Sequence, residues 1–422
     1  MAPAASPMTP AADSIRLAAE HFAASILYLA AGAVGLVWIA PELAVGAYPS
    51  PHVAGVTHLF TLGWITTTIF GALAQLLPVA LGAPIRSTRV GHASFFTFVP
   101  GAGLFAAGIA SSWLALQHIG IGLVTIGIVL EVGNIAASLP QAKNRDVTWG
   151  AVIIAISFLS STLVLGVILL HNLHSGFIAD ARLTTLATHL HVALVGWVLM
   201  MIVGVSHRLL PMFLLAHGAD TRWTKRALAL LSLGVLTLTT GLIARFTPAT
   251  WVGAALIDSG IACFIWQAYS FYRVRVRRKI DVGMRFAMTA IFFLAIAAVL
   301  GSTLVVLGQA HARLATMYVT VGLLGGIVLY VTGFFYKIVP LLAWTARFRG
   351  RMGKGPVPTV AQLYSAKVAY VQLGLMTLAV VLLAGGIAAG MSHVTRCGAV
   401  LFLAGTLLFM TQIARVAFGG RS

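Results

Sequence analysis

Residues 191–211 read HVALVGWVLMMIVGVSHRLLP, and residues 58–78 read HLFTLGWITTTIFGALAQLLP. His, Gly, Trp, Gly and Pro recur in the two stretches at the same spacing, and the two histidines are 133 residues apart. A third, weaker copy ends at Pro340, with Thr320 in the histidine position and Gly325 and Gly333 in register. Each copy is long enough, as a helix of about 30 Å, to cross the hydrocarbon core of a bilayer. The pattern therefore predicts a repeated membrane helix.

The composition of the whole chain agrees with a membrane protein. Of its 422 residues 59% are hydrophobic and only 9% are charged, whereas a soluble domain carries about 25% charged residues. Hydropathy predicts twelve membrane spans. They are residues 17–40, 55–80, 91–112, 116–138, 148–171, 185–209, 225–245, 249–271, 282–308, 312–340, 362–390 and 393–417.

The repeated helices are spans 2, 6 and 10 of this series. A step of four spans keeps the direction of a helix through the membrane, so three units of four helices are expected. Their limits are about 17–138, 148–271 and 282–417. The expected fold is all-α: a single twelve-helix transmembrane domain, residues 17–417, between tails at 1–16 and 418–422.

The positive charge of the chain lies on one side of this predicted topology. All but four of the 27 lysines and arginines fall in the tails or in the loops after even-numbered spans; the exceptions are Arg182, Arg245, Arg313 and Arg396. Basic residues favour the cytoplasmic side, so both termini are predicted to be cytoplasmic, and the polar N-terminus lacks a secretory signal. The net charge of +18 then indicates contact with lipid headgroups and not with nucleic acid.

Histidines are concentrated on the opposite, extracytoplasmic side. Nine of the thirteen are predicted there: His52, His58, His118, His171, His174, His189, His191, His311 and His393. Neutral imidazole is a common ligand of heme iron, copper and zinc. Ionisable groups are costly within a bilayer, which makes these histidines candidates for a functional site.

Two of the candidates, His58 and His191, occupy equivalent positions in two copies at similar depth. We expect them to face a shared cleft and to hold a heme between two helices. His189 lies two residues before His191 and points about 200° away from it on a regular helix. It is predicted to serve a second heme or a copper ion on the other side. The alternative is that these histidines are structural and bonded to the backbone or to each other.

Other polar residues within or beside the spans are each open to two interpretations. His171 and His174 are three residues apart on one helix face, and they either bind a metal ion or form an interfacial polar pair. Glu131 in span 4 and Asp258 in span 8 either relay protons or are protonated, hydrogen-bonded acids. The interfacial pair is the favoured interpretation for His171 and His174, whereas the two interpretations of the acids carry equal weight.

Twelve helices in three units, with histidine on span 2 and a His-x-His pair on span 6, resemble subunit I of the heme-copper oxidase superfamily. The local pattern is most similar to the C-family cytochrome c oxidases and the NnrS-like heme/copper membrane proteins. By this resemblance, His58 takes the place of a low-spin heme ligand, and His191 takes that of a copper ligand.

The resemblance also has gaps. In the oxidases the His-x-His pair that ligates the hemes is on helix 10, where this chain has Tyr318-Val319-Thr320, and helix 7 adds two histidines that span 7 lacks. The binuclear heme–copper centre cannot be assembled in the family's way. One b-type heme remains expected, noncovalent because no CxxCH motif is present, and copper is a second candidate cofactor.

Three functions remain open from the sequence. The first is a heme-binding protein of the bacterial inner membrane that takes part in respiratory electron transfer or in nitric oxide or copper handling, with a cytochrome c or another respiratory subunit as partner. The second is a divergent terminal oxidase or nitric oxide reductase subunit, an oxidoreductase. The third is a membrane transporter with a pathway lined by histidines, which the repeats also permit.

Overall fold

The computed structural model describes residues 12–216, 220–308, 311–353 and 355–419. Helices account for nearly all of this part of the chain, and its only extended pairing is an isolated backbone bridge between Ala216 and Arg275. Twelve helices are long and apolar enough to cross a membrane, which confirms the predicted number of spans. They are α1 (Asp13–Ala44), α2 (Pro51–Ala80), α3 (Thr88–Ser111), α4 (Leu114–Gln141), α5 (Val147–Ser175), α6 (Ala179–Leu214), α7 (Arg222–Ile243), α8 (Thr247–Arg273), α9 (Val282–Leu307), α10 (Ala312–Arg351), α11 (Ala366–Ala389) and α12 (Ser392–Phe418).

Several helices extend beyond the apolar segments that predicted them. Helix α1 already begins within the predicted tail 1–16, and α10 continues about three turns past Pro340. Hydropathy marks the hydrocarbon-facing part of a helix, whereas the helix itself continues into the polar headgroup region. Residues 1–11 and 420–422 of the predicted tails, and with them His217, Lys354 and Arg421, lie outside the described residues.

The chain divides into two compact units. The first contains residues up to 25 and 57–276, so it holds most of α2 and all of α3–α8. The second contains residues 26–56 and those from 277 onward, so it holds α9–α12 together with the later part of α1 and the start of α2.

All three repeated helices contain a π-helical segment at the same point. The segments are Leu59–Thr66 in α2, Val192–Leu199 in α6 and Val321–Val328 in α10, each starting directly after His58, His191 or Thr320. Regions of π-helix are rare, short, and frequent at functional sites. Their coincidence aligns the third, histidine-free copy with the other two.

Glycines thirteen residues after the histidine position bring each repeated helix close to the helix before it. A Cβ added at Gly71 would lie 2.7 Å from the Cβ of His21 on α1, and one added at Gly333 would lie 2.6 Å from the carbonyl oxygen of Gly283 on α9. The equivalent Gly204 packs against Ala151 on α5. Helices in a membrane associate through such close contacts, because lipid supplies no hydrophobic driving force between them.

Within each repeat the last two helices have the closest contact: α3 with α4, α7 with α8, and α11 with α12. Glycines seven residues apart line these contacts: Gly101 and Gly108, Gly120 and Gly127, Gly234 and Gly241, Gly253 and Gly260, and Gly398 and Gly405. Seven residues are about two helical turns, so both glycines of a pair lie on one face. The backbones therefore meet without intervening side chains.

Large apolar side chains are exposed on the outer faces of the helices. Examples are Val129 on α4, Phe292 on α9 and Val299 on α9, with 60%, 64% and 67% of their surface accessible. Large apolar surfaces of this kind are unfavourable in water and are suited to lipid tails. The protein is accordingly a multi-pass membrane protein with lipid around its helices.

An ion pair joins the end of α6 to the beginning of α5. The Asp146 carboxylate accepts hydrogen bonds from the backbone N–H groups of Thr148 and Trp149, at 3.0 and 3.3 Å, and so caps α5. Its second oxygen lies 2.5 Å from Nη2 of Arg208, three residues before Pro211. The carboxylate thus satisfies orphan donors of one helix and a cation of another.

The same arrangement recurs in the third repeat and, in a neutral form, in the first. Asp281 caps α9 by accepting from the N–H of Met284, and its Oδ2 lies 2.6 Å from Nζ of Lys337, three residues before Pro340. In the first repeat Gln75 donates from Nε2 to the carbonyl oxygen of Ser14 at 2.7 Å. A polar link at this position therefore ties each repeated helix to the start of the preceding one.

Asp281 has further neighbours in the segments directly before α9 and α11. Nη1 of Arg277 lies 3.4 Å from the same carboxylate oxygen. Burial, together with the negative charge of Asp281, raises the pKa of the Tyr364 phenol to about 12. The Tyr364 phenol of this cluster is therefore neutral at neutral pH.

We expect Gly127→Ala to destabilise the protein, whereas Gly133→Ala on the same helix leaves it unchanged. The methyl group at position 127 would lie 2.5 Å from the Cβ of Phe98 and 2.8 Å from its backbone, while nothing lies within 4 Å of position 133. Overpacking of this kind costs about 1–3 kcal/mol. Thermal unfolding of the purified variants in detergent measures the difference, and equal melting temperatures would contradict the close α3–α4 contact.

Replacing Lys337 by Met is expected to lower the free energy of unfolding by about 2–3 kcal/mol, because it leaves the Asp281 carboxylate partly buried without its nearest cation. The two side chains of this pair are only 10% and 19% exposed. Arg222→Met is the matched control, since Arg222 and Asp220 are 64% and 54% exposed and an exposed pair contributes little. The same unfolding assay compares them; a control that loses as much stability as Lys337→Met would show that the buried pair has no special role.

Candidate functional site

The histidine pair that the fold brings together consists of His58 on α2 and His189 on α6. Their ring centres are 6.5 Å apart and their planes are inclined by 33°. The ring of Phe105 on α3 closes one side of His58, with its centre 5.2 Å away in an edge-to-face arrangement. The pair lies within the first compact unit, at the ends of α2 and α6 that are predicted to be extracytoplasmic.

Contacts further along the same two helices fix their relative position. Nε1 of Trp197 on α6 donates a hydrogen bond of 3.1 Å to Oγ1 of Thr66 on α2, and both residues are buried. The ring of Trp197 also lies 6.2 Å from that of Phe70. Since Thr66 and Trp197 belong to the π-helical segments that follow His58 and His191, these segments form the contact that positions the histidine pair.

Helix α5 supplies the other side of His189. A Cβ added at Gly166 would lie 3.3 Å from Cε1 of this ring, so only glycine leaves the ring its ordinary contact distance. The backbone of Thr162, one turn earlier on α5, also lies beside this ring. Nδ1 of His189 is buried and has no hydrogen-bond partner of normal geometry among the described residues. The imidazole thus retains binding capacity in a position where water does not reach Nδ1.

The predicted partner of His58 was His191; the structure brings the ring of His189 to His58, with ring centres 6.5 Å apart. Residues two apart on a helix point in nearly opposite directions, so only one of the two can face α2. The Nδ1 atom of His191 lies 2.8 Å from the carbonyl oxygen of Ala187. Because a carbonyl only accepts, Nδ1 of His191 carries the proton and Nε2 carries the lone pair.

The separation of the His58 and His189 rings agrees with two imidazoles on one metal. A metal–nitrogen bond is about 2.0–2.1 Å and a ring nitrogen lies about 1.1 Å from its ring centre, so two imidazoles on opposite sides of one ion have centres about 6.4 Å apart. The observed 6.5 Å is at that limit. Together with the unsatisfied Nδ1 of His189, this separation fits two imidazoles that would share one metal ion.

The remaining predicted site residues do not join this pair. Glu131 is buried in α4, and its Oε2 has no hydrogen-bond partner among the described residues. Asp258 is partly exposed on α8. His171 is exposed at the end of α5 with its ring 5.3 Å from Phe177. His174 has its ring next to His118 rather than His171 as its imidazole partner.

Sequence reasoning missed two contributors to the site. Gly166 and Thr162 lie on α5, outside any repeated motif, and neither residue type signals a function by itself. In the structure the contact at Gly166 recurs: the residue two before the histidine position packs over a glycine of the preceding helix in all three copies. These contacts are Gly35 with Val56, Gly166 with His189 and Gly301 with Tyr318.

No protein-family model matches the chain. No curated protein matches it either. Among the described residues, no group of three or more His, Cys, Asp or Glu side chains is placed to hold a metal ion.

Proposed function

We propose that the protein is a heme-binding integral membrane protein of the heme-copper oxidase subunit I type, active in respiratory electron transfer or in nitric oxide or copper handling. The observation that carries the proposal is the His58–His189 pair at 6.5 Å. The twelve-helix chain with its three-copy motif supports the proposed type. The charge distribution supports the bacterial inner membrane with both termini in the cytoplasm.

In this proposal each residue of the site has a defined task. His58 and His189 hold a b-type heme noncovalently from two helices. Gly166 leaves room for the His189 ring on α5, and the backbone of Thr162 lies beside that ring. Phe105 covers one side of the His58 ring. A heme iron with two imidazole ligands supplies one-electron transfer when bound.

Electron transfer is favoured over oxygen or nitric oxide reduction by the sequence of α7. This helix, Arg222–Ile243, has no histidine to supply the copper ligands of a reductase. A periplasmic cytochrome c is the expected electron donor, since the histidine pair lies near the predicted extracytoplasmic end of α2 and α6. If the protein binds no heme, the alternative function is that of a membrane transporter.

The difference spectrum of the purified protein, reduced minus oxidised, tests the proposal directly. We expect the sharp α-band of a low-spin, bis-histidine heme in the wild type, and a loss of at least about tenfold in heme content for His58→Ala and for His189→Ala. His393→Ala is the control, because His393 is exposed at the start of α12, and it should keep full heme content.

Other outcomes of this experiment are equally informative. A colourless wild-type protein would overturn the proposal and favour the transporter. A loss of heme from His191→Ala but not from His189→Ala would restore the pairing predicted from the repeat and refute the one assigned here. Strong carbon monoxide binding by the reduced protein would reveal an open iron position and favour a reductase.

A second variant keeps both histidines and moves one of them. Gly166→Val adds side-chain atoms where even a Cβ lies 3.3 Å from the His189 ring, so we expect the ring to be displaced and the heme content to fall by about threefold or more. Gly150→Val on the same helix has no atom within 4 Å and should keep its heme. Equal heme content in the two variants would show that α5 does not support the site.

A further inference from the structure

A second pair of histidines lies at the opposite ends of two other helices of the first unit. His118 is in the first turns of α4 and His174 is in the last turn of α5. Their ring centres are 5.8 Å apart and their planes are inclined by 28°. Both rings are exposed. The pair is therefore open to the solution or to the headgroup region on the predicted extracytoplasmic side.

The hydrogen bond of His118 determines which of its nitrogens has a lone pair. Nδ1 of His118 lies 2.9 Å from the carbonyl oxygen of Leu114. A carbonyl oxygen cannot donate, so in the neutral ring the proton is on Nδ1. Nε2 of His118 then has the free lone pair.

The buried side chain of Gln117 determines which ring nitrogen of His174 has the lone pair. Gln117 donates from Nε2 to the carbonyl oxygen of Gly108 at 3.0 Å, which fixes the orientation of its amide group. The amide oxygen therefore faces His174 and accepts from Nε2 of that ring at 2.7 Å. With the proton on Nε2, the lone pair of His174 is on Nδ1.

Two neutral imidazoles with fixed protons and one lone pair each cannot hydrogen-bond to each other through those lone pairs. Among the described residues, no hydrogen bond uses Nε2 of His118 or Nδ1 of His174. A cation satisfies both at once. Two imidazoles on one metal ion have ring centres at most about 6.4 Å apart, and the observed 5.8 Å corresponds to a bent arrangement.

We propose that His118 and His174 bind a transition-metal ion of the Cu²⁺ or Zn²⁺ class, with Gln117 and the Leu114 carbonyl holding the two rings in the ligating form. Imidazole nitrogen suits both ions, and Cu²⁺ binds such sites more strongly than other divalent ions of its row. Water completes the coordination at this exposed position. The proposal is independent of the heme proposal, since it uses different residues.

Titration of the purified protein with Cu²⁺, followed by electron paramagnetic resonance, tests the site. We expect one Cu²⁺ with nitrogen ligands in the wild type, and a loss of affinity of at least about tenfold in His118→Ala and in His174→Ala. His171→Ala is the matched control: it is an exposed histidine three residues from His174 on α5, and its variant should bind Cu²⁺ within about twofold of the wild type.

A titration in the His58→Ala background separates this site from the proposed heme pair, and retention of the Cu²⁺ signal there is expected. Gln117→Met tests the supporting role, and a loss of affinity of about tenfold or more is expected because outer hydrogen bonds orient ligand histidines. The proposal is overturned if the wild type binds no stoichiometric Cu²⁺ or Zn²⁺. It is also overturned if His171→Ala weakens binding as much as His118→Ala, or if neither His118→Ala nor His174→Ala weakens it. Thermal unfolding of each variant establishes that the altered chains are folded.

Discussion

The packing of this protein depends on close approach between helices at glycine. In lipid the helices gain nothing from burying apolar side chains against one another, so contact distance and polar links decide which faces meet. The glycine pair Gly120 and Gly127 brings α4 against the backbone of α3, and equivalent pairs bring α7 to α8 and α11 to α12. Because the backbones touch, the two helices of such a pair have little room to shift against each other. A site built from side chains on such helices inherits that restraint.

Polar links close to the prolines of the repeated helices also restrain the helix positions. Arg208 and Lys337 each bind the carboxylate that caps the preceding helix, so the rotation of α6 about its axis is restrained near Pro211 and that of α10 near Pro340. Between this restraint and the histidine position, each repeated helix passes through a π-helical segment. The wider turns of such a segment change which side chains share a face. The orientation of His189 relative to Trp197 therefore does not follow from α-helical geometry alone.

This explains which parts of the structure could be predicted from the sequence. The twelve spans follow from hydropathy, because every backbone polar group in a bilayer must be satisfied within its own helix. The spacing of glycines after the histidine position indicated where helices approach, and Gly204 and Gly333 do lie against the preceding helix. The identity of the histidine facing α2 could not be obtained this way. Spacing shows that His189 and His191 face opposite sides, but the rotation of α6 that selects between them is set by contacts with α2 and α5 that no local pattern encodes. The binding of heme itself stays a prediction.

In the three copies, the same packing contact between helices holds three different side chains. Two residues before the histidine position lies Val56 in the first copy, His189 in the second and Tyr318 in the third. Each of these side chains packs over a glycine of the helix before it. The glycine is therefore required by the scaffold, whatever side chain it faces. Placing a histidine there adds an imidazole without disturbing the packing, because the room beside it already exists. The proposed ligand His189 thus lies at a position whose geometry all three copies maintain, and among them only the second copy places an imidazole there.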